Sequence, residues 1–128
     1  MPYLIDTCGW IEWLTDGTLV NKFSSYFEPL EQVYVPTSVQ FELYKWVKRE
    51  ADESRALETI ALTEQSMVVP LDTAISLVAA KLSAQHQLSF ADAIIYATAQ
   101  QKSVPLITSD SHFVNLPDVV YFPKTEHP

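Results

Sequence analysis

Short apolar runs alternate with longer amphipathic stretches along this chain, and that alternation predicts its elements. Tyr3 to Asp6 reads as a short strand, and Thr7 to Leu14 carries Ile11 and Leu14 at helical spacing before Asp16-Gly17 breaks the run. A second helix is predicted over Thr18 to Phe27, stopping near Pro29. Gln32 to Val35 is rich in β-formers, and Pro36 separates it from Thr37, which with Gln40 makes a capping-box pattern for a long helix. Charge dominates after Lys45, so this helix or its successor is expected to run, solvated, towards Gln65. Met67 to Val69 is the next strand. Asp72 then caps Thr73 to Gln85, whose Ile75, Leu77, Val78 and Leu82 predict a largely buried helix. Ser89 caps Phe90 to Lys102, Val104 to Thr108 is an apolar strand, Ser109 to Leu116 a loop, and Val119 to Phe122 a last short strand.

Strands that alternate with helices in this way belong in an α/β fold: a three-layer α/β/α sandwich with a mostly parallel sheet of about five strands and right-handed crossovers. At 128 residues, without repeats or a long linker, residues 1–128 are expected to form one domain. Ligands of such sheets bind outside the carboxyl ends of the strands, where strand order reverses, and Asp6 and Asp110 follow the two strands best placed to flank that point.

Composition narrows the chemistry. No apolar stretch approaches the ~20 residues of a membrane span, and Met1-Pro2-Tyr3 enters a strand without a basic or signal-like region, so no membrane association and a cytoplasmic location are expected. Cys8 is the sole cysteine; it can form neither an internal disulfide nor a thiolate cage, and reads as a small packed residue. With two glycines, the chain has neither GxGxxG nor GxxxxGK[ST]. A net charge of −8 argues against avid nonspecific binding to nucleic acid, though a bound cation reverses the field locally, and an acidic surface suits a basic protein partner.

Four acids stand out: Asp6, Glu42, Asp92 and Asp110. Each has an ordinary structural use. Asp6 can cap the next helix, Asp92 can complete a box with Ser89, and Asp110 can start a turn. Asp92, however, shares a helical stripe with Ile95, Tyr96 and Ala99, and Glu42 borders the stripe of Val39, Leu43, Trp46 and Val47. If their segments pack side by side the carboxylates meet, and like charges in a partly dry site require a counter-cation. An oxygen-rich cluster suits Mg²⁺ or Mn²⁺, ions of phosphoryl chemistry. Glu50, Asp52 and Glu53 lie in a charged stretch and read as a solvated face.

The spaced motifs Leu4-Ile5-Asp6-Thr7-Cys8, Pro36-Thr37-Ser38-Val39-Gln40-Phe41-Glu42-Leu43, Ser89 to Ala99 and Leu106-Ile107-Thr108-Ser109-Asp110-Ser111-His112-Phe113 together resemble those of the PIN domain, in its VapC-type toxin subfamily. The third, with its D-A-x-I-x-A pattern, is the most specific. The resemblance implies a metal-dependent endoribonuclease, the toxin of a type II toxin–antitoxin pair, acting on RNA with tRNA-like targets common among relatives. It implies Asp6, Glu42, Asp92 and Asp110 as catalytic acids, with Asp6, Asp92 and Asp110 as metal ligands and Thr7 or Thr108 as supporting hydroxyls. It further implies Mg²⁺ or Mn²⁺ as cofactor, a cognate VapB-type antitoxin and a homodimer. Cys8 stands where many relatives carry Ser or Asn, and His112 where several carry a further Asp, which leaves the number of metals open. Trp10, Trp13, Phe41, Tyr44 and Trp46 divide between core packing and a partner face, and Lys45, Lys48 and Arg49 between steering RNA and plain solvation.

Two other readings differ in class. One is a catalytically weak PIN-like protein-interaction module, for which His112 is the main argument. The other is a phosphoryl-accepting domain, which the sequence disfavours because the second Asp of a D-x-D-x-T motif is replaced by Cys8.

Overall fold

The computed structural model describes residues 1–124. Five strands, β1 (Tyr3–Ile5), β2 (Val33–Pro36), β3 (Met67–Val69), β4 (Leu106–Thr108) and β5 (Val119–Tyr121), form one sheet in the order β3-β2-β1-β4-β5. Every pairing is parallel. Near-continuous apolar strands such as Leu4-Ile5 and Leu106-Ile107, wholly buried, are what a sheet covered on both faces requires. Six helices provide that cover: α1 (Thr7–Thr15), α2 (Val20–Phe23), α3 (Thr37–Glu50), α4 (Glu53–Thr63), α5 (Thr73–His86) and α6 (Phe90–Lys102). Right-handed crossovers put α1 to α4 on one face and α5 and α6 on the other. The three-layer α/β/α architecture follows.

Several local expectations fail for identifiable reasons. Thr37 and Gln40 form no capping box: α3 begins after Pro36 without a side-chain cap, the Gln40 amide donates to Thr63 and Glu64, and Thr37 Oγ1 accepts from Leu71 N–H. The stretch towards Gln65 is, as the sequence allowed, a helix and its successor, and the exposed Asp52 has a cap role beyond plain solvation: it starts α4 by accepting from Arg55 N–H at 2.8 Å. The helix over Thr18 to Phe27 breaks into α2 and a 3-10 turn, Ser24–Phe27, where the Ser24 hydroxyl donates to the Val20 carbonyl. α5 is only partly buried: Ile75 and Ala79 face the core while Leu77 is 62% exposed. Conversely, α6 is buried over Ala93 to Ala99, more than one stripe, because it lies between the sheet and α5.

The core around β1 and β2 is aromatic. Trp10 meets Phe27 edge-on at 4.8 Å, and Trp13 stacks on the same ring at 4.2 Å. Trp10 is therefore core, not partner surface. Gly9 sits where α1 crosses this layer, and an added Cβ there would lie 2.5 Å from Ile5 Cγ2 and 2.7 Å from Phe23 Cε1. Gly9→Ala is accordingly expected to destabilise the protein by roughly 1–3 kcal/mol despite the better helix propensity of Ala. Urea denaturation checks this, and a gain in stability would show that the layer yields more easily than its packing indicates.

Candidate metal centre

The order β3-β2-β1-β4-β5 reverses between β1 and β4, since the chain moves outward through β2 and β3 before returning to β4. A crevice lies beyond the carboxyl ends of these two strands. Asp6 immediately follows β1, held by an extension of the ladder in which its N–H donates to Ile107 O at 3.0 Å. Asp110 follows β4 by two residues.

Asp6 is buried, 5% exposed, and both its oxygens are engaged. Oδ1 accepts from Thr7 N–H at 2.7 Å, which caps α1, and Oδ2 accepts from the Thr108 hydroxyl at 2.8 Å. Capping and site membership thus coincide in one residue. The Thr108 hydroxyl in turn accepts from Asp110 N–H at 2.9 Å, so one side chain ties the two acids together. On the other side, the Thr7 hydroxyl donates to Glu42 Oε1 at 2.5 Å, linking α3 to α1.

Asp92 enters from the first turn of α6. Ser89 Oγ accepts from Asp92 N–H, but no reciprocal capping-box bond forms; the carboxylate turns to His112, whose Nδ1 lies 2.9 Å from Asp92 Oδ2. The same nitrogen is 3.2 Å from Asp110 Oδ1, and His112 N–H donates to that oxygen at 2.9 Å. Asp92, Asp110 and His112 each offer a ligand atom within 4.8 Å of the others. The structure therefore draws His112 into the cluster, joins Asp6 through Thr108, and attaches Glu42 more remotely through Thr7.

Burial, reinforced by the charges of Asp110 and Asp92, pushes the Asp6 carboxyl up from 3.8 to about 7 against the lowering effect of its hydrogen bonds. Asp92 is raised as well, first by burial and then by Asp110, with His112 opposing. His112 is itself raised, first by its bond to Asp92 and then by the charge of Asp110. Among the described residues no Lys or Arg forms an ion pair with any of the four acids. A set of oxygen donors and one imidazole, electrostatically frustrated and without a fixed cation, fits a divalent ion such as Mg²⁺ or Mn²⁺.

Cys8 lies closer to the chemistry than a packed residue need. Its sulfur accepts from Ser109 N–H at 3.4 Å and stands 3.6 Å from Thr108 Oγ1 and 3.8 Å from Asp6 Oδ2. Burial and the neighbouring Asp6 push its thiol up to about 11, so it stays protonated and serves as a neutral brace between β4 and α1. Nothing in the spacing of Cys8 signalled this, because the contact spans about a hundred residues of chain. Lys124, beyond β5, lines the outer groove with Asp110 and His112, another placement that only the tertiary fold reveals.

A family model described as the PIN domain matches residues 3–119. No curated protein matches the chain in sequence. Among solved structures, a chain of a toxin–antitoxin complex from Klebsiella pneumoniae superposes with a TM-score of 0.77 at 26% identity, over 92% of this chain and 95% of that one. VapBC-1 from nontypeable Haemophilus influenzae gives 0.70 at 20% identity, over 95% and 97%. VapC20 from Mycobacterium tuberculosis, described as a toxin that cleaves the sarcin–ricin loop, gives 0.69 at 16% identity, over 95% and 90%.

Proposed function

The chain belongs to the PIN-domain family, and on that premise we propose that it is the toxin nuclease of a VapBC-type toxin–antitoxin pair, a Mg²⁺- or Mn²⁺-dependent endoribonuclease. The observation that carries this reading is the gathering of Asp6, Asp92 and Asp110, from three separate segments, with no Lys or Arg ion-paired to them among the described residues. Asp92 and Asp110 would hold the ion, with His112 completing the set and Asp6 adding charge from beneath. When bound, the ion supplies positive charge and Lewis acidity towards phosphate and water.

The remaining roles belong to the protein. Thr108 fixes the orientation of Asp6 and the backbone of Asp110, and so sets the spacing of the two carboxylates. Glu42, held by Thr7, is placed to orient the attacking water and receive its proton. Hydrolysis of the RNA phosphodiester then leaves a 5′-phosphate and a 3′-hydroxyl. A VapB-type antitoxin would restrain this activity. The apolar groove of Leu14, Trp46, Val47 and Leu62 between α1, α3 and α4 offers it a seat, and the exposed Leu77 and Phe90 offer a face to a second copy in a homodimer. The family resemblance favours tRNA-like targets and work in the cytoplasm. Among the described residues no helix is long and apolar enough to cross a membrane.

The protein, free of antitoxin, should cleave RNA from a total-RNA preparation with Mg²⁺ or Mn²⁺ and leave it intact with a chelator. Identical RNA patterns in both would refute the nuclease reading. A second reading, a PIN-like interaction module with little catalysis, is favoured by one observation: the His112 ring lies against both Asp92 and Asp110, which raise its proton affinity, and whenever it carries a proton it stands in for a cation there. Absence of metal uptake together with partner binding would select it.

A further inference from the structure

The solvent face of α3 carries a feature that the metal centre does not use. Phe41 is 66% exposed, an unusual position for a large apolar ring, and it stands next to Glu42 near the helix start, on the crevice side of the sheet. Lys45 Nζ lies over its ring at 5.8 Å, and one turn further Lys48 Nζ lies over Tyr44 at the same distance. Tyr44 is held in place by its hydroxyl, which donates to Glu53 Oε2 at 3.1 Å. With Arg49 these residues line a shallow groove that runs away from the crevice along the helix. Lys45, Lys48 and Arg49 are three of only eight Lys and Arg residues in a chain of net charge −8. Lys45 and Lys48 are thus interleaved with two aromatic rings on one short helical face, while Arg49 beside them is paired with Glu50 at 3.1 Å.

We propose that Phe41, Tyr44, Lys45, Lys48 and Arg49 form a landing strip for single-stranded RNA, a base stacking on Phe41 while the phosphates that follow it meet the cations. The inference rests on the nuclease reading and adds to it the form of the substrate and the direction in which the strand leaves the crevice. Phe41 and Lys48 are separated by about 10 Å along the axis, the rise of seven helical residues, which accommodates roughly two nucleotides. An open aromatic face takes any unpaired base but cannot reach a base stacked within a duplex. Lys45 and Lys48 also answer in part the difficulty that the net charge creates, by offering two cations to the phosphates of a strand that the chain as a whole repels.

The test is binding of a short fluorescein-labelled single-stranded oligoribonucleotide to the metal-free protein at low salt, read by anisotropy. Phe41→Ala is expected to weaken binding by about fivefold or more, the scale of one stacked base, while Phe41→Trp preserves it. The double variant Lys45→Ala/Lys48→Ala should make the salt dependence shallower by roughly 1.4 in the log–log slope, two phosphate contacts on a single strand. All these positions are solvent-facing, so circular dichroism and Mn²⁺ uptake should match the unaltered protein. If the protein cleaves RNA but every variant binds the oligonucleotide as the unaltered protein does, the strip is refuted and the nuclease reading stands. If the unaltered protein neither binds nor cleaves RNA, the nuclease reading itself has failed. Equal affinity for the matching duplex, or loss of antitoxin binding alone in the Phe41 and Lys variants, would likewise overturn the assignment to single strands.

Discussion

Asp92→Asn is expected to lower metal-supported RNA cleavage by roughly 10²–10³-fold, the scale on which loss of one charge-stabilising group in a preorganised site acts. The substitution isolates charge. Asn has the shape of Asp, Asp92 is held by its backbone N–H at Ser89, and an amide oxygen still accepts from the His112 ring. The side chain is only 13% exposed, so its negative charge acts on the crevice with little screening by water. Folding should survive intact, because burial and Asp110 already disfavour the ionised form in the metal-free protein. A circular dichroism spectrum and thermal midpoint near those of the unaltered protein, beside a collapsed rate, would separate loss of chemistry from loss of structure. Cleavage within threefold of the original, about 0.65 kcal/mol, would remove Asp92 from the site.

Asp6→Asn is expected to act in opposite directions on activity and on stability. Cleavage should fall at least as far as for Asp92→Asn, since Asp6 supplies the buried charge beneath the cluster and organises Thr7 and Thr108 around it. Metal-free stability near pH 8, by contrast, should rise. The folded carboxyl is raised from 3.8 to about 7, so between those values the native state binds the proton more tightly than the unfolded chain does. Stability contributed by that proton is fully present below 3.8 and is lost as pH rises through about 7, leaving a penalty on the order of 4 kcal/mol in the ionised native state. Asn carries no such penalty, though it disturbs the bond from Thr108 and offsets part of the gain. Thermal midpoints between pH 5 and 8 should therefore drop more steeply for the unaltered metal-free protein than for Asp6→Asn, and Mn²⁺ should restore the unaltered protein alone. Parallel pH curves for the two would show that Asp6 is not a strained carboxylate.

Much of the fold was legible in the chain because its elements are punctuated by strong local signals. Apolar runs at Leu4-Ile5 and Leu106-Ile107 mark strands buried on both faces, and Asp72 and Ser89 stand at the caps that they occupy in the structure. What failed was decided by competition for the same side chain. Gln40 had a local partner available but found Thr63 and Glu64 across an interhelical contact, and Asp52, solvated as expected, also caps α4, a role its charged surroundings masked. At the site, Asp6 and Asp110 stand out because they follow strands and Asp92 because it opens a helix, whereas Glu42 stands out only by bordering the apolar stripe of α3. Their mutual arrangement does not. The Thr108 bridge from Asp6 to Asp110, the Cys8 brace and the placement of His112 between two carboxylates are contacts between segments far apart in sequence, set by strand order rather than by any local pattern.

Binding of a divalent ion by these converging acids is measured by titrating Mn²⁺ into the metal-free protein and following the paramagnetic resonance signal of the free ion. Saturable uptake by the unaltered protein, weakened at least about tenfold in Asp92→Asn, is the predicted result. No uptake, or uptake of equal strength in the variant, would contradict it.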